Sequence, residues 1–373
     1  MELVVLADTH IKSRTWSNTT QISGDSIEAL KKIKNYTASR KFDTLLLLGD
    51  IFDTVAPKSS DVYALLELLR DSFKTVYYIR GNHDHNYPSY IQCVPPDYTN
   101  LKVIELTSEP VQLEEGVYLK GISWMPSSTQ YVEAVRSAIT SFFEQHPDDI
   151  LYLAIHLSFQ HLLAFDGSWQ LNIEMIKEMA GHHKLRILVG HIHTRDTTFW
   201  DVGCYVHSPG ATYPLSFDKT LEPCYGSLIN VKSGNISSID CNVRKYLKLD
   251  VRTKAGITTD FIRQAARVVG HPDGYLPTYI RVITTPDTLF QIVNDDPNYI
   301  FQVIVEGEDL EDAYQLPDDS STNMTLLDAL HVALQPYNDQ DIVDMADELA
   351  ASDDPKATIE EWFKQWGVQR CSR

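Results

Sequence analysis

Long apolar runs are missing from this chain of 373 residues. Nothing in it approaches the ~18 consecutive apolar residues of a membrane span, so a helical membrane protein is excluded. Cysteine is scarce too: Cys93, Cys204, Cys224, Cys241 and Cys371 are odd in number, scattered, and form no CxxC pair. That usage fits a reduced, intracellular protein rather than a disulfide scaffold or a thiolate metal site. No internal repeat and no low-complexity run occurs. The first strand, Leu3-Val4-Val5-Leu6, starts almost at Met1, which leaves no room for a signal peptide, and a cytoplasmic protein is expected.

Positive charge is also in short supply, with 32 Lys+Arg against 51 Asp+Glu and a net charge of -19. The imbalance is local. Residues 295–373 hold 19 acids and 4 bases, whereas residues 1–294 hold 32 acids and 28 bases. Within 244–281 there are eight bases and three acids. Whole-chain acidity therefore says little against a polyanionic substrate, because the tail carries most of it. The length suggests two domains with a third segment, and 43% hydrophobic content is ordinary for a globular chain.

What is present is organised around Leu45-Leu46-Leu47-Leu48-Gly49-Asp50. Four leucines closed by a glycine read as a strand buried on both faces of a parallel sheet. The carboxylate of Asp50 then stands beyond the carboxyl end of the strand, where open α/β sheets gather ligands. A helix capped by Asp25 (to about residue 40) precedes it, and another beginning near Asp61 follows. Val76–Ile79 forms a third strand, ending in Gly81-Asn82-His83-Asp84. This alternation predicts a doubly wound parallel arrangement. Short strands follow Pro95-Pro96, then a helix over 130–144, strand Ile150–Ile155 ending at His156, a helix over 172–180, and Arg186–Val189 ending in Gly190-His191-Ile192-His193. Short strands fill 197–243. Residues 246–306 read as a separate β-α-β-α-β unit. Helical segments are expected near 325–335, 339–350 and 356–366, the last with Ile359, Trp362, Phe363 and Trp366 on one face.

Asp8, His10, Asp50, Asp53, Asn82, His83, Asp84, His156, His191 and His193 thus fall at five strand ends. Each alone is unremarkable, since an Asp after a strand is usually a turn former or helix cap. Together they must converge on one rim, where carboxylates repel unless cations neutralise them. A mixed Asp/His/Asn set without thiolates suits Mn²⁺, Fe²⁺ or Zn²⁺, and Mg²⁺ less well.

Asp-x-His, Gly-Asp-x-x-Asp, Gly-Asn-His-Asp, a lone His after a strand and Gly-His-x-His, in that order, resemble the calcineurin-like metallophosphoesterase superfamily over about 210 residues. Gly49–Thr54 with nearby Pro57 resembles the SbcD-type nuclease subunit of DNA repair and recombination, and the related phage recombination endonuclease subunit. The resemblance implies an α/β sandwich of two central sheets flanked by helices (1–243), a small α+β capping domain (244–306), and an acidic linker with C-terminal helices (307–373). It implies two divalent ions, most suitably Mn²⁺. Asp8, His10, Asp50 and His193 would hold one, and Asp50, Asn82, His156 and His191 the other. His83 would face the scissile phosphate, with Asp53 orienting its other ring nitrogen, unless Asp53 merely caps the next segment. Asp84 reads as structural. Implied partners are DNA, an SbcC-like coiled-coil ATPase docked on the C-terminal helices, and a second copy of the chain.

Two departures stand out. Thr9-His10-Ile11-Lys12 replaces the SbcD pattern Trp-His-Leu-Gly, and no Arg-Gly follows Gly-Asp-x-x-Asp as it would in Ser/Thr protein phosphatases. Arg244, Lys248, Arg263 and Arg267 of the basic run are candidate DNA-backbone contacts, or simply a solvated basic face. Arg80 is a candidate phosphate contact or a surface ion pair. The reading is a Mn²⁺-dependent DNA exonuclease/endonuclease. Its alternatives are a phosphoesterase for a nucleotide or other small diester, and a DNA-end-binding scaffold.

Overall fold

The computed structural model describes residues 1–305 except 17–18, 41, 71, 85–89, 93–99, 108, 158–170, 221, 253–261, 263, 265–275 and 286–296. Arg263, Arg267, the helices expected between the strands of 246–306, the acidic linker and the C-terminal helices lie outside the described residues. In chain order the elements are β1 (Glu2–Leu6), β2 (Arg14–Trp16), β3 (Thr19–Ser23), α1 (Asp25–Ala38), β4 (Thr44–Leu48), α2 (Ser59–Arg70), β5 (Thr75–Ile79), β6 (Lys102–Glu105), β7 (Val111–Glu114), β8 (Val117–Ile122), α3 (Ser128–Gln145) and β9 (Ile150–His156). They continue with α4 (Ile173–Ala180), β10 (Lys184–Gly190), β11 (Asp196–Asp201), β12 (Cys204–Ser208), β13 (Tyr225–Asn230), β14 (Ile236–Asp240), β15 (Tyr246–Asp250), β16 (Thr278–Thr284) and β17 (Tyr299–Val305).

Two six-stranded sheets result, in the orders β14-β13-β1-β4-β5-β6 and β11-β12-β10-β9-β8-β7. The central strands run parallel, as their continuous apolar sequences require. The sheets are nevertheless mixed, because β13 and β14 close one edge of the first antiparallel, and β7 and β11 border the second the same way. The leucine run shows how the layers form. Successive strand side chains point to opposite faces, so Leu46 and Leu48 enter the core between the sheets with Leu3, Val5, Tyr152 and Leu188. Leu45 and Leu47 instead pack with Ile33, Leu65 and Leu69 on the helical side. On the second sheet the outer face packs Ile139 and Phe142 of α3 and Ile176 of α4 against Leu153 and Ile187.

The strands read within 246–306 form a third sheet, β15-β16-β17, belonging to the same compact unit as the rest of residues 1–284 and 288–304. Aromatic packing joins it to the body: Trp16 stacks on Tyr246 and meets Tyr279 edge-on. Arg244 is not a DNA contact. Its side chain is 2% exposed, and its Nε and Nη2 donate to the Asp25 carboxylate at 2.9 and 3.0 Å, with Nη1 on the Pro277 carbonyl and Nη2 on the Ser23 carbonyl. Thr15 and Tyr246 hydroxyls donate to the same carboxylate. With four of its five N–H donors spent inside and its side chain buried, the guanidinium is not placed to meet a phosphate. Substituting Arg244→Met would leave Asp25 buried and uncompensated, a loss of about 3–5 kcal/mol. Urea unfolding should show that loss, and the double variant Asp25→Asn/Arg244→Met should recover more than half of it.

Candidate metal centre

Because β1, β4 and β5 lie side by side and parallel, their carboxyl ends open on one rim, and β9 and β10 bring theirs to it from the other sheet. The loop after β1 runs along the loop after β4: His10 N–H donates to the Asp50 carbonyl and Ile11 N–H to Ile51, both at 2.9 Å. Asp8, His10, Asp50 and His191 have φ of 48°, 37°, 47° and 74°, and they are all the non-glycine residues in that region among those described. Left-handed backbone costs ordinary residues roughly 1–3 kcal/mol each. That all four stand on this rim marks it as a site to which stability has been surrendered.

Side chains from both sheets meet there. Three groups have ligand atoms within 4.8 Å of one another: Asp8, His10 and His193; His10, Asp50 and His83; and Asp50, His156 and His191. Asp50 sits between them, with Oδ2 3.7 Å from His10 Nε2 and 3.3 Å from His156 Nε2, and Oδ1 accepting the His83 N–H at 2.9 Å. The Asn82 amide oxygen lies 3.2 Å from His156 Nε2 and 3.1 Å from His191 Nδ1. Asp8 accepts the His191 N–H on both oxygens. His156 Nδ1 donates to the Leu48 carbonyl at 2.7 Å, which fixes the tautomer and leaves Nε2 facing the cluster.

The electrostatics are those of a crowded, buried set of cation ligands. Burial raises the Asp8 carboxyl to about 7, with the neighbouring charge of Asp50 adding and that of His156 opposing. Burial lowers His10 to about 3, and it lowers His191 and His193 to about 4. For His156 burial again opposes the imidazolium, but the hydrogen bond and charge of Asp50 prevail and raise it to about 9. Asp50 itself is held well below the usual carboxylate range, burial being outweighed by His156 and His10. Both ring nitrogens of His10 are buried with no hydrogen-bond partner. An orphaned buried nitrogen calls for a partner, and a divalent cation fits Nε2, the one that faces Asp50.

All seven residues read from the sequence as candidate ligands are therefore brought together. Asp53 needs correction. Its carboxylate does not orient His83; its backbone carbonyl does, 2.7 Å from His83 Nδ1. The carboxylate turns to Lys12 Nζ at 2.9 Å and lies 3.6 Å from His10 Nδ1. Asp84 accepts from the backbone of Ile51, Phe52 and Gly81, which makes it a structural clamp on the loops. Arg80 is engaged by Glu105 at 2.6 Å. Lys248 is exposed on β15, beside Arg281 across the β15–β16 pair. Sequence reading missed Lys12, Tyr131, whose hydroxyl accepts the His156 N–H, and Tyr213, whose hydroxyl donates to the His10 carbonyl. The departure at Lys12 was visible. The tyrosines, far away in sequence, gave no signal.

The chain is similar to several known proteins. The family model for calcineurin-like phosphoesterase matches residues 1–210. A curated relative, the DNA double-strand break repair protein Mre11 of Saccharolobus solfataricus, is 22% identical over 215 residues, 57% of this chain. The chain spans about half (54%) of that protein's length. Among solved structures, TT1561 of Thermus thermophilus is similar with a TM-score of 0.43 at 13% identity, covering 65% of this chain and 99% of that one. A dimetal phosphatase from Danio rerio gives 0.41 at 9% identity, covering 65% and 99%. Among the described residues no helix is long and apolar enough to cross a membrane. With more than half its length matched and the Asp/His rim in place, the chain belongs to the calcineurin-like phosphoesterase family, metal-dependent hydrolases built on a dimetal centre.

Proposed function

We propose that this chain is a Mn²⁺-dependent DNA nuclease that hydrolyses phosphodiesters, acting as a homodimer beside an SbcC-like ATPase. The observation that carries the two-ion reading is Asp50, one carboxylate oxygen of which faces histidines of two separate groups. Asp8, His10, Asp50 and His193 would hold one ion, and Asp50, Asn82, His156 and His191 the other. A pair of divalent cations there supplies Lewis acidity, neutralising phosphate oxygens and lowering the pKa of water. Donors that are all oxygen and imidazole favour Mn²⁺ over softer ions.

The remaining work falls to His83. A carbonyl only accepts, so the Asp53 oxygen fixes a proton on His83 Nδ1. Nε2 is then the atom left for substrate, and with a second proton there it can hydrogen-bond the phosphate and protonate the leaving oxygen. Similarity to Mre11 supports DNA as the substrate, as does the exposed Lys248 on the third sheet. The ATPase would dock on the acidic C-terminal segment, whose sequence carries Trp362 and Trp366.

The test is direct. The purified chain with Mn²⁺ is given labelled linear duplex, circular single strand and a small chromogenic diester. Cleavage of DNA well above the small diester is expected. Equal turnover of the diester with no gain from DNA would overturn the DNA assignment.

Ion uptake should also release protons. Histidine binds metal only when neutral, and His156 keeps its proton up to about 9 whereas His10, His191 and His193 are already neutral at pH 7. Affinity should therefore rise with pH, by roughly tenfold per unit between pH 7 and 9 if one proton is displaced. Calorimetry in buffers of different ionisation enthalpy reads the proton count, and a pH-independent affinity would contradict the assignment of His156.

A further inference from the structure

Lys12 and the carboxylate of Asp53 have no part in the scheme above, yet both are held firmly at its edge. Lys12 is pinned at both ends of its peptide unit by Ser26, whose hydroxyl accepts the Lys12 N–H at 3.3 Å and donates to the Lys12 carbonyl at 3.0 Å. A bridge between Ile11 and Phe52, the residues just before each, keeps the two loops in register. The ammonium reaches Asp53 Oδ1 at 2.9 Å, with both side chains mostly withdrawn from solvent. That same oxygen lies 3.6 Å from Nδ1 of His10, whose other nitrogen, Nε2, faces Asp50.

We propose that the Lys12–Asp53 ion pair is a positioning device for His10. It holds a carboxylate 3.6 Å from Nδ1, beyond hydrogen-bond distance but near enough for its charge to favour the proton there, so that the ring presents the Nε2 lone pair to the ion. This rests on the two-ion reading above. Where a carboxylate accepts the outer N–H of a ligating histidine outright, losing it typically costs about 10–100-fold in metal affinity, and the looser contact here belongs at the lower end of that range. Asp53 alone would be a poor anchor. Its carboxylate is part-exposed, and without Lys12 nothing among the described residues fixes which way it points. Lys12 is thus two steps from the ion, acting through Asp53 on His10. His83 depends on the backbone carbonyl of Asp53 rather than its side chain, so the two histidines are oriented by different atoms of one residue.

The separation can be tested on the full chain with Lys12→Met, Lys12→Arg and Asp53→Asn. Mn²⁺ titration followed by the electron paramagnetic resonance of free Mn²⁺ should show one of two ions weakened about tenfold or more in Lys12→Met, with the second unchanged and Lys12→Arg restored. In the metal-free protein, ¹⁵N chemical shifts of the His10 ring should report the Nδ1–H tautomer in the parent and in Lys12→Arg. A mixed population is expected in Lys12→Met and Asp53→Asn. Parent affinity and an unchanged tautomer in Lys12→Met would overturn the inference and leave the two-ion centre standing. A parent protein that binds fewer than two ions would instead overturn the centre itself. If Lys12→Met does not fold, Asp53→Asn and the parent tautomer still decide: an Nε2–H tautomer in the parent sinks the proposal.

Discussion

Asp50→Ala is expected to lose both metal and cleavage, whereas His83→Ala keeps two bound ions and loses cleavage alone. The difference follows from where each side chain points. Asp50 is reached from both histidine groups, so its removal strips a ligand from each ion and also frees the His83 N–H that its other oxygen accepts. Losing an outer partner of a ligand already costs about 10–100-fold in affinity; losing a shared ligand should cost more. His83 is anchored through Nδ1 on a backbone carbonyl and is part-exposed at the rim, placed to meet substrate. Removing a positioned acid–base group lowers the rate by roughly 10²–10⁴-fold while leaving ion binding alone. Stoichiometry by calorimetry and rate on linear duplex separate the two. An Asp50→Ala protein that cuts at the parent rate in chelator-treated, Mn²⁺-restored buffer would sink the assignment.

This contrast could be framed from sequence because the centre is written at strand ends. A run such as Leu45–Leu48 commits the backbone to a strand, and parallel packing of several such strands forces their ends to one rim whatever the loops do. Gly49-Asp50, Gly81–Asp84, His156 and Gly190–His193 were therefore legible as one cluster. The rest was hidden wherever the deciding partner is remote and not periodic. Arg244 looks like a surface base in the sequence because nothing near it announces Asp25, 219 positions away. Asp53 offers its side chain to a sequence reader, but loop geometry gives the orienting task to its carbonyl. The antiparallel closure by β13 and β14 was equally unreadable, since short alternating strands carry no sign of the neighbour they will choose.

Gly190→Ala should do more damage than its single methyl suggests. Gly190 ends β10 in register with His156, where that strand meets the end of β4 in the other sheet. A Cβ there would overlap the Leu48 carbonyl oxygen and stand 2.7 Å from His156 Nδ1. That carbonyl is the one which holds His156 by its Nδ1–H. A flexible side chain would swing aside, but the backbone carbonyl at the end of a buried strand cannot do so freely, so the sheets must part locally or the histidine must leave. Overpacking against fixed backbone belongs at the upper end of its usual range, about 3 kcal/mol or more. For a unit of this size, that is a fall in melting temperature of roughly 5 °C. The chemical consequence should exceed the thermal one. Once the Leu48 carbonyl shifts, His156 loses its fixed tautomer, and the group it forms with Asp50 and His191 opens. Calorimetry should then find one tight Mn²⁺ site where the parent has two, in a protein still folded at 25 °C. Parent stability together with two intact sites would mean that the sheets are not in contact at Gly190, and the geometry on which the centre depends would be wrong.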